Sequence, residues 1–196
     1  MLGLAFLGRT GPVLVGKTVT LRRPKSSDFR EWAALRRESR AFLEPWEPSW
    51  AHDEFTPAVW RQRMRRYRTD HARGTSETFF VFDNASGRLA GGLTAGNIRR
   101  GAAQSGSIGY WMGERYAGRG LMTEALPLVV RHCFETLRLH RLEAACIPDN
   151  HRSVRVLEKA GFQREGLLRS YLKINGTWQD HYLYALVADQ HPGIPE

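Results

Sequence analysis

The sequence contains few cysteines and no long apolar run. Cys133 and Cys146 are the only two cysteines in 196 residues, and neither has neighbours at the spacing of a metal site. Both lie in stretches with periodic apolar residues, so we expect both cysteines to be small residues of the core. Two such cysteines also indicate a reducing compartment. No stretch approaches the roughly 18 apolar residues of a spanning helix, and the apolar start, Met1–Leu7, is too short for a signal peptide. These absences predict a cytoplasmic protein with no membrane segment and no metal.

Internal repeats, low-complexity tracts and linkers are also absent. We therefore expect a single domain over residues 1–196, with a core from about residue 13 to residue 188. What the sequence has in excess is positive charge, with 29 basic residues against 20 acidic residues and a net charge of +9. This balance favours anionic partners, such as a phosphorylated cofactor, RNA or both.

Periodicity and turn residues predict the element order βαα-βββ-αβα-ββ. This order is typical of an α/β (α+β) sandwich with a mixed, largely antiparallel sheet of about seven strands flanked by helices. The first strand is predicted as one element over Val13–Arg23. Phe42–Trp50 is predicted to be an aromatic-rich loop, because its prolines interrupt a helix. Asn175-Gly176 predicts a tight hairpin near the C-terminus.

A glycine-rich turn within Arg115–Ala125 joins a predicted strand to a long predicted helix. Gly118 and Gly120 permit positive φ and a close approach of the backbone. If a helix begins there, its free N–H groups and its positive dipole end converge on one point. Such a turn favours a bound pyrophosphate. The spacing matches neither the P-loop nor the dinucleotide fingerprint, and this stretch alone leaves a plain turn as the alternative.

A second charged feature is the helix predicted to begin at Thr56-Pro57. Its apolar face carries Trp60, Met64, Tyr67 and His71, and its basic side carries Arg61, Arg63, Arg65, Arg66 and Arg68. Two interpretations are open. The arginines form a solvated face over an aromatic inner face, or they contact RNA or an acidic protein in a salt-dependent way.

Several ordered motifs together resemble the GNAT acetyltransferases. They are Gly109-Tyr-Trp-Met-Gly113, Arg115-x-x-Gly118-x-Gly120, Gly120-Leu-Met-x-Glu-Ala-Leu126, His140-Arg-Leu142, Asn150-x-x-Ser153, Glu158-Lys-Ala-Gly-Phe162, Glu165-Gly166 and Asn175-Gly-x-Trp-x-Asp180-His181. With Phe42-Leu-x-Pro-Trp-Glu-Pro48, they are more narrowly similar to the Rim-type ribosomal-protein-alanine N-acetyltransferases. The resemblance covers nearly all of residues 13–188. It implies a GNAT fold with one splayed strand pair, and acetyl-CoA as cosubstrate.

The resemblance also implies how acetyl-CoA is held. The pantetheine arm pairs with backbone exposed at the splay, by strand addition, and loop N–H groups hold the pyrophosphate with help from one of two arginines. The implied cofactor-binding residues are Trp111, Met112, Gly113, Arg115, Tyr116, Ala117, Gly118, Arg119, Gly120, Leu121, Met122, Asn150 and Ser153. Asn150 and Ser153 are also preferred helix-capping residues, so a purely structural role for them is an open alternative.

The implied reaction is direct attack of an amine on the acetyl thioester, which needs neither cysteine as a nucleophile. The implied acceptor is the N-terminal α-amine of a ribosomal protein, with alanine first. An α-amine has a pKa of about 7.7–8.0, against about 10.4 for lysine, so it needs roughly 3.5 kcal/mol less help to become neutral. Ser153 is the implied acid for the leaving thiolate, with Tyr171 as a rival.

The acceptor side is less defined by sequence. Glu47 is the best candidate for a general base or an ammonium anchor, and Trp46, Trp50 and Tyr110 are candidate walls of a slot for a small residue. Asp180-His181 is expected to be structural or to support a substrate loop.

Two other functions are open, namely acetylation of a small amine such as an aminoglycoside or polyamine, and a binding module without turnover. The protein is expected to be a monomer or a homodimer.

Overall fold

The computed structural model describes residues 11–190, so the apolar start at Met1–Leu7 lies outside the described residues. The helices are α1 (Phe29–Glu38), α2 (Arg40–Leu43), α3 (Pro57–Ala72), α4 (Leu121–Arg131) and α5 (His151–Lys159). The strands are β1 (Val13–Val15), β2 (Val19–Arg22), β3 (Glu77–Asp83), β4 (Arg88–Arg99), β5 (Ser105–Met112), β6 (Arg141–Cys146), β7 (Gln163–Ile174) and β8 (Thr177–Val187). No helix in this part of the chain is long and apolar enough to cross a membrane.

All eight strands form one sheet in the order β1-β2-β3-β4-β5-β6-β8-β7. Every neighbouring pair is antiparallel except β5 and β6, which are parallel and pair only over residues 105–107 and 141–143. Beyond those residues the two strands separate. The predicted largely antiparallel sheet with one splayed strand pair is confirmed.

The prediction of one strand over Val13–Arg23 is wrong, which is why the sheet has eight strands instead of about seven. A tight turn separates β1 from β2, and the Gly16 N–H donates to the Val19 carbonyl at 2.8 Å. This turn lies against α4, where the Thr18 N–H donates to Glu124 Oε1 at 3.0 Å. A Cβ on Gly16 would lie 2.4 Å from the same oxygen. The turn therefore depends on its contact with Glu124, a residue that is distant in sequence.

The loop predicted at Phe42–Trp50 is partly helical. The short helix α2 extends to Leu43, a 3₁₀ turn follows over Glu44–Trp46, and the backbone becomes extended at Glu47. Pro45 is accommodated because it occupies the first turn of the 3₁₀ segment, where its missing N–H has no helical partner to lose. The prolines end the helix a few residues later than predicted.

Local turn chemistry is as predicted at two other places. Thr56 caps α3, with its hydroxyl accepting from the Val59 N–H at 3.3 Å. The β7–β8 hairpin turns at Asn175 and Gly176, both with positive φ (42° and 83°), as a two-residue hairpin with right-handed strand twist requires. These elements form where a few adjacent residues decide the backbone conformation.

The sheet separates two helical layers. Because side chains alternate along each strand, successive residues of a strand face different layers. On one face, Phe79 of β3 packs edge-on against His132, in the π-helical turn that continues α4. On the other face, Phe80 stacks on Trp60 of α3, which in turn contacts Trp32 of α1 at 4.9 Å. We call these the α4/α5 face and the α1/α3 face. They determine which side chains can meet at the splay.

Glu77, at the start of β3, is a buried carboxylate that contacts Arg23 and His132. It accepts from Arg23 Nε at 3.0 Å and lies 2.8 Å from His132 Nε2. Burial by itself raises the pKa of Glu77, but the hydrogen bonds and charges of His132 and Arg23 outweigh burial and lower the pKa below its usual 4.5. The carboxylate is therefore ionised in the folded protein at neutral pH.

This carboxylate gives a testable pH dependence of stability. Because its folded-state pKa is lowered, its contribution is present above the unfolded-state pKa near 4.5 and is lost as pH falls through the folded-state pKa. We expect Glu77→Gln to lower the free energy of unfolding by about 2 kcal/mol at neutral pH, and we expect this difference to shrink in acid. Urea unfolding from neutral to acidic pH measures it. The exposed Glu135→Gln is the control, and a difference independent of pH would contradict the assignment.

Candidate active site

A cleft of about 830 Å³ opens where β5 and β6 separate. One wall is the C-terminal part of β5 (108–112), and the facing wall combines the end of β6 (144–147) with the start of α5. The glycine-rich turn before α4 closes one end, while Phe42, Leu43, Trp46 and Glu47 reach the other side. The cleft therefore joins most of the predicted donor and acceptor segments.

The glycine-rich turn has the backbone that the sequence predicts. Gly118 and Gly120 have φ of 75° and 80°, and Gly120 is the N-cap of α4. An added Cβ would meet nothing within 4 Å at either glycine, so the requirement for glycine is conformational rather than steric. The first N–H groups of α4 have no partner within the helix, and they lie beside the cleft together with its positive dipole end.

Two predicted cofactor arginines, Arg115 and Arg119, flank this turn without lining the cleft. Arg115 Nη1 lies 3.2 Å from Glu38, and Arg119 Nη2 lies 3.3 Å from Asp83. Both guanidinium groups lie over the ring of Tyr116, at 5.1 and 5.5 Å from its centre. About half of each arginine side chain is exposed. The other predicted residues of the turn line the cleft: Tyr116, Ala117, Gly118, Gly120, Leu121 and Met122.

The β5 wall contains Trp111 and Met112, as predicted, but Gly113 lies outside the lining. Glycine is needed there for packing, since a Cβ on Gly113 would lie 2.4 Å from a methyl carbon of buried Leu35. The next residue, Glu114, donates its N–H to the Ser39 hydroxyl at 2.9 Å. Helix α1 and its C-terminal turn thus hold the end of β5 in place.

Asn150 and Ser153 lie at the start of α5 and line the cleft. Asn150 caps the helix, its side-chain oxygen accepting from the Ser153 N–H at 3.1 Å. The Ser153 hydroxyl is 2.8 Å from the hydroxyl of Tyr110 on β5. This hydroxyl pair spans the splay from one wall to the other. Sequence reasoning placed Tyr110 with the acceptor and missed the pair, because the two residues are 43 positions apart.

The cleft keeps its hydroxyl and thiol groups neutral. Burial raises the pKa of Tyr110 well above its usual value, although the hydrogen bond with Ser153 acts in the opposite direction. Burial also raises the pKa of the nearby Cys146 thiol to about 11. Both cysteines are free and buried, as predicted. Tyr110 and Ser153 can therefore donate hydrogen bonds, while Cys146 is not poised as a thiolate nucleophile.

On the acceptor side, Glu47 forms a bidentate ion pair with Arg36 of α1. The two guanidinium nitrogens lie 2.8 and 2.5 Å from the two carboxylate oxygens, and the Trp50 indole N–H donates to Glu47 at 2.8 Å. Arg36 is buried, and its guanidinium lies between Trp50 and Trp111 at 4.4 and 4.9 Å from the ring centres. Trp46 lines the cleft, whereas Trp50 lies behind it.

Sequence reasoning also missed Arg36. Its neighbour Arg37 is exposed, and the two look alike in the sequence. The available signal is helical spacing, because position 36 follows Trp32 by one turn and therefore falls on the buried face of α1. A buried arginine requires a partner, and Glu47 supplies it.

The β7–β8 hairpin reaches the same side of the cleft. Its turn contacts the aromatic segment through the Asn175 N–H, which donates to the Glu47 carbonyl at 3.0 Å. Asp180 accepts from the Ser170 N–H at 2.8 Å and stabilises a β-bulge at which Ser170 has φ of 46°. His181 lines the cleft, and Tyr171, the rival acid, lies outside it with its ring edge-on to His181.

Comparison with known proteins agrees with this geometry. The family model described as an acetyltransferase (GNAT) domain matches residues 18–163. The chain belongs to the GNAT acetyltransferase family. It is 39% identical to Probable N-acetyltransferase YjcK of Bacillus subtilis (strain 168) over 89% of this chain and 97% of that protein. It is 36% identical to the [Ribosomal protein uS5]-alanine N-acetyltransferase of Escherichia coli (strain K12), over 80% of this chain and 81% of the relative.

Among solved structures, RimJ of Mycobacterium smegmatis in complex with CoA-disulfide superposes with a TM-score of 0.85 and 36% identity. The match covers 93% of this chain and 88% of that chain. This GNAT protein is accordingly an acetyl-CoA-dependent N-acetyltransferase related to ribosomal protein N-terminal acetyltransferases. The positive-φ turn, the unpaired edges of β5 and β6 and the long cleft fit a coenzyme A molecule. Within residues 11–190, no group of three His, Cys, Asp or Glu side chains could hold a metal ion.

Proposed function

We propose that this GNAT enzyme acetylates the N-terminal α-amine of a ribosomal protein whose first residue is alanine. The observation that carries the proposal is the 36% identity to the Escherichia coli uS5-alanine N-acetyltransferase across four fifths of both chains. The chemistry of the cleft supports an α-amine over lysine. Its one acceptor-side carboxylate, Glu47, is already paired with Arg36, and an α-amine needs roughly 3.5 kcal/mol less help than lysine to become neutral.

On the donor side, acetyl-CoA supplies an activated acetyl thioester, and the chain binds and orients it. The backbone of β5 at Trp111 and Met112, continuing to Gly113, pairs with the pantetheine amides. The N–H groups of 116–122 hold the pyrophosphate. Arg115 and Arg119 flank this turn, so each can leave its present carboxylate partner and form an ion pair with a phosphate of the cofactor instead. Asn150 contacts the pantetheine in addition to capping α5.

At the reacting end, Ser153 and Tyr110 donate a hydrogen bond to the sulfur as negative charge develops there. The amine attacks the carbonyl carbon directly, the C–S bond breaks, and the thiolate receives a proton from this hydroxyl pair. Because Tyr110 stays neutral, the proton is available throughout the physiological pH range. No covalent acetyl-enzyme forms, consistent with the protonated state of Cys146.

On the acceptor side, Glu47 anchors the terminal ammonium, and Trp46 with Tyr110 forms the walls of a slot for a small first residue. A carboxylate offers about four lone-pair positions, so Glu47 can accept from the substrate while bonded to Arg36 and the Trp50 indole. Trp50 lies outside the cleft lining, where it contacts both the Arg36 guanidinium and the Glu47 carboxylate and holds them together.

A polyamine or aminoglycoside acceptor is less well supported, because most acidic side chains of this segment are already neutralised. Glu44 pairs with Arg40, Glu47 with Arg36 and Glu54 with Arg63. A polycation would need several free carboxylates along one wall. The discriminating experiment is an acceptor screen that follows release of free thiol from acetyl-CoA.

In that screen we expect turnover with a uS5-derived peptide that begins with alanine, and none with the same peptide acetylated at its N-terminus. Spermidine and kanamycin should be poor acceptors. A lysine-containing peptide with a blocked N-terminus tests the preference for an α-amine. Turnover on polyamines alone would replace the proposal with the small-amine function. Tight binding of acetyl-CoA without transfer to any amine would replace it with a binding module.

The exposed arginines of α3 suggest how the enzyme approaches an RNA-rich particle. Arg61, Arg65 and Arg68 are exposed, and within residues 11–190 none of them forms an ion pair, whereas Arg63 of the same helix pairs with Glu54. Three adjacent unpaired guanidinium groups fit a phosphate backbone. We include ribosomal RNA contact through this surface in the proposal.

We expect Arg65→Gln/Arg68→Gln to weaken binding to a ribosomal RNA fragment and to make the dependence of log Kd on log salt shallower by about 1.5. Turnover on a free peptide should not change. The control is Arg131→Gln/Arg138→Gln, which removes the same charge from exposed arginines elsewhere. Equal losses in the two double variants would contradict a specific role for α3.

A further inference from the structure

His181 lines the cleft from the β7–β8 hairpin. The residue is 3% exposed, and it is the only residue of that hairpin among the described residues that line the cleft. Its Nδ1 lies 3.0 Å from the Gln179 carbonyl oxygen. A carbonyl oxygen can only accept a hydrogen bond, so Nδ1 carries the proton and donates it. In the neutral form of the ring, this tautomer leaves Nε2 as the nitrogen with a free lone pair.

The alternation of side chains places this imidazole on the α1/α3 face. In β8, the Tyr184 hydroxyl donates to Glu158 of α5 at 3.3 Å, so Tyr184 lies on the α4/α5 face. His181 is an odd number of residues away and points to the opposite face. In β5, the same alternation puts Trp111 on the α1/α3 face, where it contacts Arg36. His181 thus shares a face with the Arg36–Glu47 pair.

The hydroxyl pair belongs to the other face. Tyr110 precedes Trp111 in β5 and therefore points the opposite way, towards Ser153 on α5. The cleft, where β5 and β6 separate, is accordingly bordered by the hydroxyl pair on the α4/α5 face and by the His181 imidazole on the α1/α3 face. A thioester bound in the gap between the strands would have the Tyr110–Ser153 hydroxyls on one side and the His181 imidazole on the other.

We propose that His181 Nε2 accepts the proton that the acceptor ammonium loses before it attacks. This inference rests on the proposed α-amine acceptor. One N–H proton passes to Nε2, the nitrogen lone pair forms the new C–N bond, and the C–S bond breaks with its electron pair on sulfur. The sulfur takes a proton from the hydroxyl pair, which is restored by the second proton that the nitrogen loses as it becomes an amide. His181 then releases its proton to water.

The surroundings hold the imidazole ready for this role. Its orientation is determined by the Gln179 carbonyl on one side and by the edge-on ring of Tyr171, whose centre is 5.7 Å away, on the other. Glu47 has fewer free lone pairs for this role, because its carboxylate already receives two hydrogen bonds from Arg36 and one from Trp50. Glu47 holds the ammonium, and His181 takes its proton.

The test begins with His181→Asn, which retains an N–H donor for the Gln179 carbonyl and lacks Nε2. We expect kcat on the alanine peptide to fall by about a hundredfold, while the Kd for acetyl-CoA changes by less than about twofold. The control, His140→Ala, removes a half-exposed imidazole outside the cleft and should leave kcat unchanged. A kcat for His181→Asn within about threefold of wild type overturns the proposal.

A second variant separates proton transfer from structure. His181→Ala leaves space for a free imidazole, and we expect kcat of this variant to rise with added imidazole at constant acetyl-CoA affinity, whereas wild type does not respond. Loss of activity without such rescue, in a variant that still binds acetyl-CoA, overturns the proposal. If wild type rejects the alanine peptide but acetylates another amine, the proposed acceptor fails, and the same variants are then assayed with that amine.

Discussion

The double variant Tyr110→Phe/Ser153→Ala should lose kcat by two to four orders of magnitude, the usual contribution of a positioned proton donor. Both hydroxyls line the cleft, 2.8 Å apart, and each can donate to the leaving sulfur or to the other. The substitutions remove only oxygen atoms, and the Ser153 N–H keeps its bond to Asn150. The KM for acetyl-CoA should therefore change little, and single-turnover rates with an alanine peptide measure the loss.

Each single variant should show less than half of the loss in log kcat of the double variant, because in the proposed mechanism the remaining hydroxyl can still donate to the sulfur. Groups that act as a unit are not additive. Tyr184→Phe is the matched control, since Tyr184 is a buried tyrosine on the same face whose hydroxyl bonds Glu158 outside the cleft. A double variant with kcat within about threefold of wild type would remove the hydroxyl pair from the mechanism.

Arg36→Met should lower the free energy of unfolding by about 3–5 kcal/mol, the cost of leaving one partner of a buried ion pair alone. The Arg36 side chain is 9% exposed, and its guanidinium joins Glu47 to Trp50 and Trp111. The same variant should raise the KM for the peptide, because the carboxylate then loses its fixed position. Urea unfolding and steady-state kinetics measure the two effects.

The double variant Arg36→Met/Glu47→Met separates the structural role of the pair from its role in binding. Replacing both charges with apolar side chains of similar length should recover much of the lost stability, since no uncompensated charge stays buried. It should not recover the peptide KM if Glu47 anchors the ammonium. Recovery of both quantities together would mean that the pair serves the fold alone.

The backbone geometry of the proposed donor segments could be predicted because it is local. Gly118 and Gly120 need positive φ, and Asn150 caps the helix that follows it. Each of these depends on residues a few positions away, so motif spacing is informative. Gly113 shows the limit of such reasoning. The motif assigns it to the cofactor, and only the folded chain shows that a Cβ there would also meet Leu35, far away in sequence.

The acceptor half could not be predicted to the same depth. Arg36 and Arg37 are chemically identical neighbours, and helical spacing indicates which of them is buried. It does not indicate that Glu47 is the partner of Arg36, because that contact forms only in the folded chain. Likewise, His181 was expected to be structural or a support for a substrate loop. Its possible role depends on which face of the sheet it occupies, and that follows from the register of β8 with β6.

Local sequence chemistry thus specifies the fold class, the glycine-rich turn before α4 and the helix caps of this GNAT enzyme, because backbone conformation depends mainly on adjacent residues. The pairing of Tyr110 with Ser153, the burial of Arg36 against Glu47 and the placing of His181 across the cleft from the hydroxyls arise only in the folded chain. Each joins side chains that are distant in sequence, and strand register together with helix packing determines which of them meet.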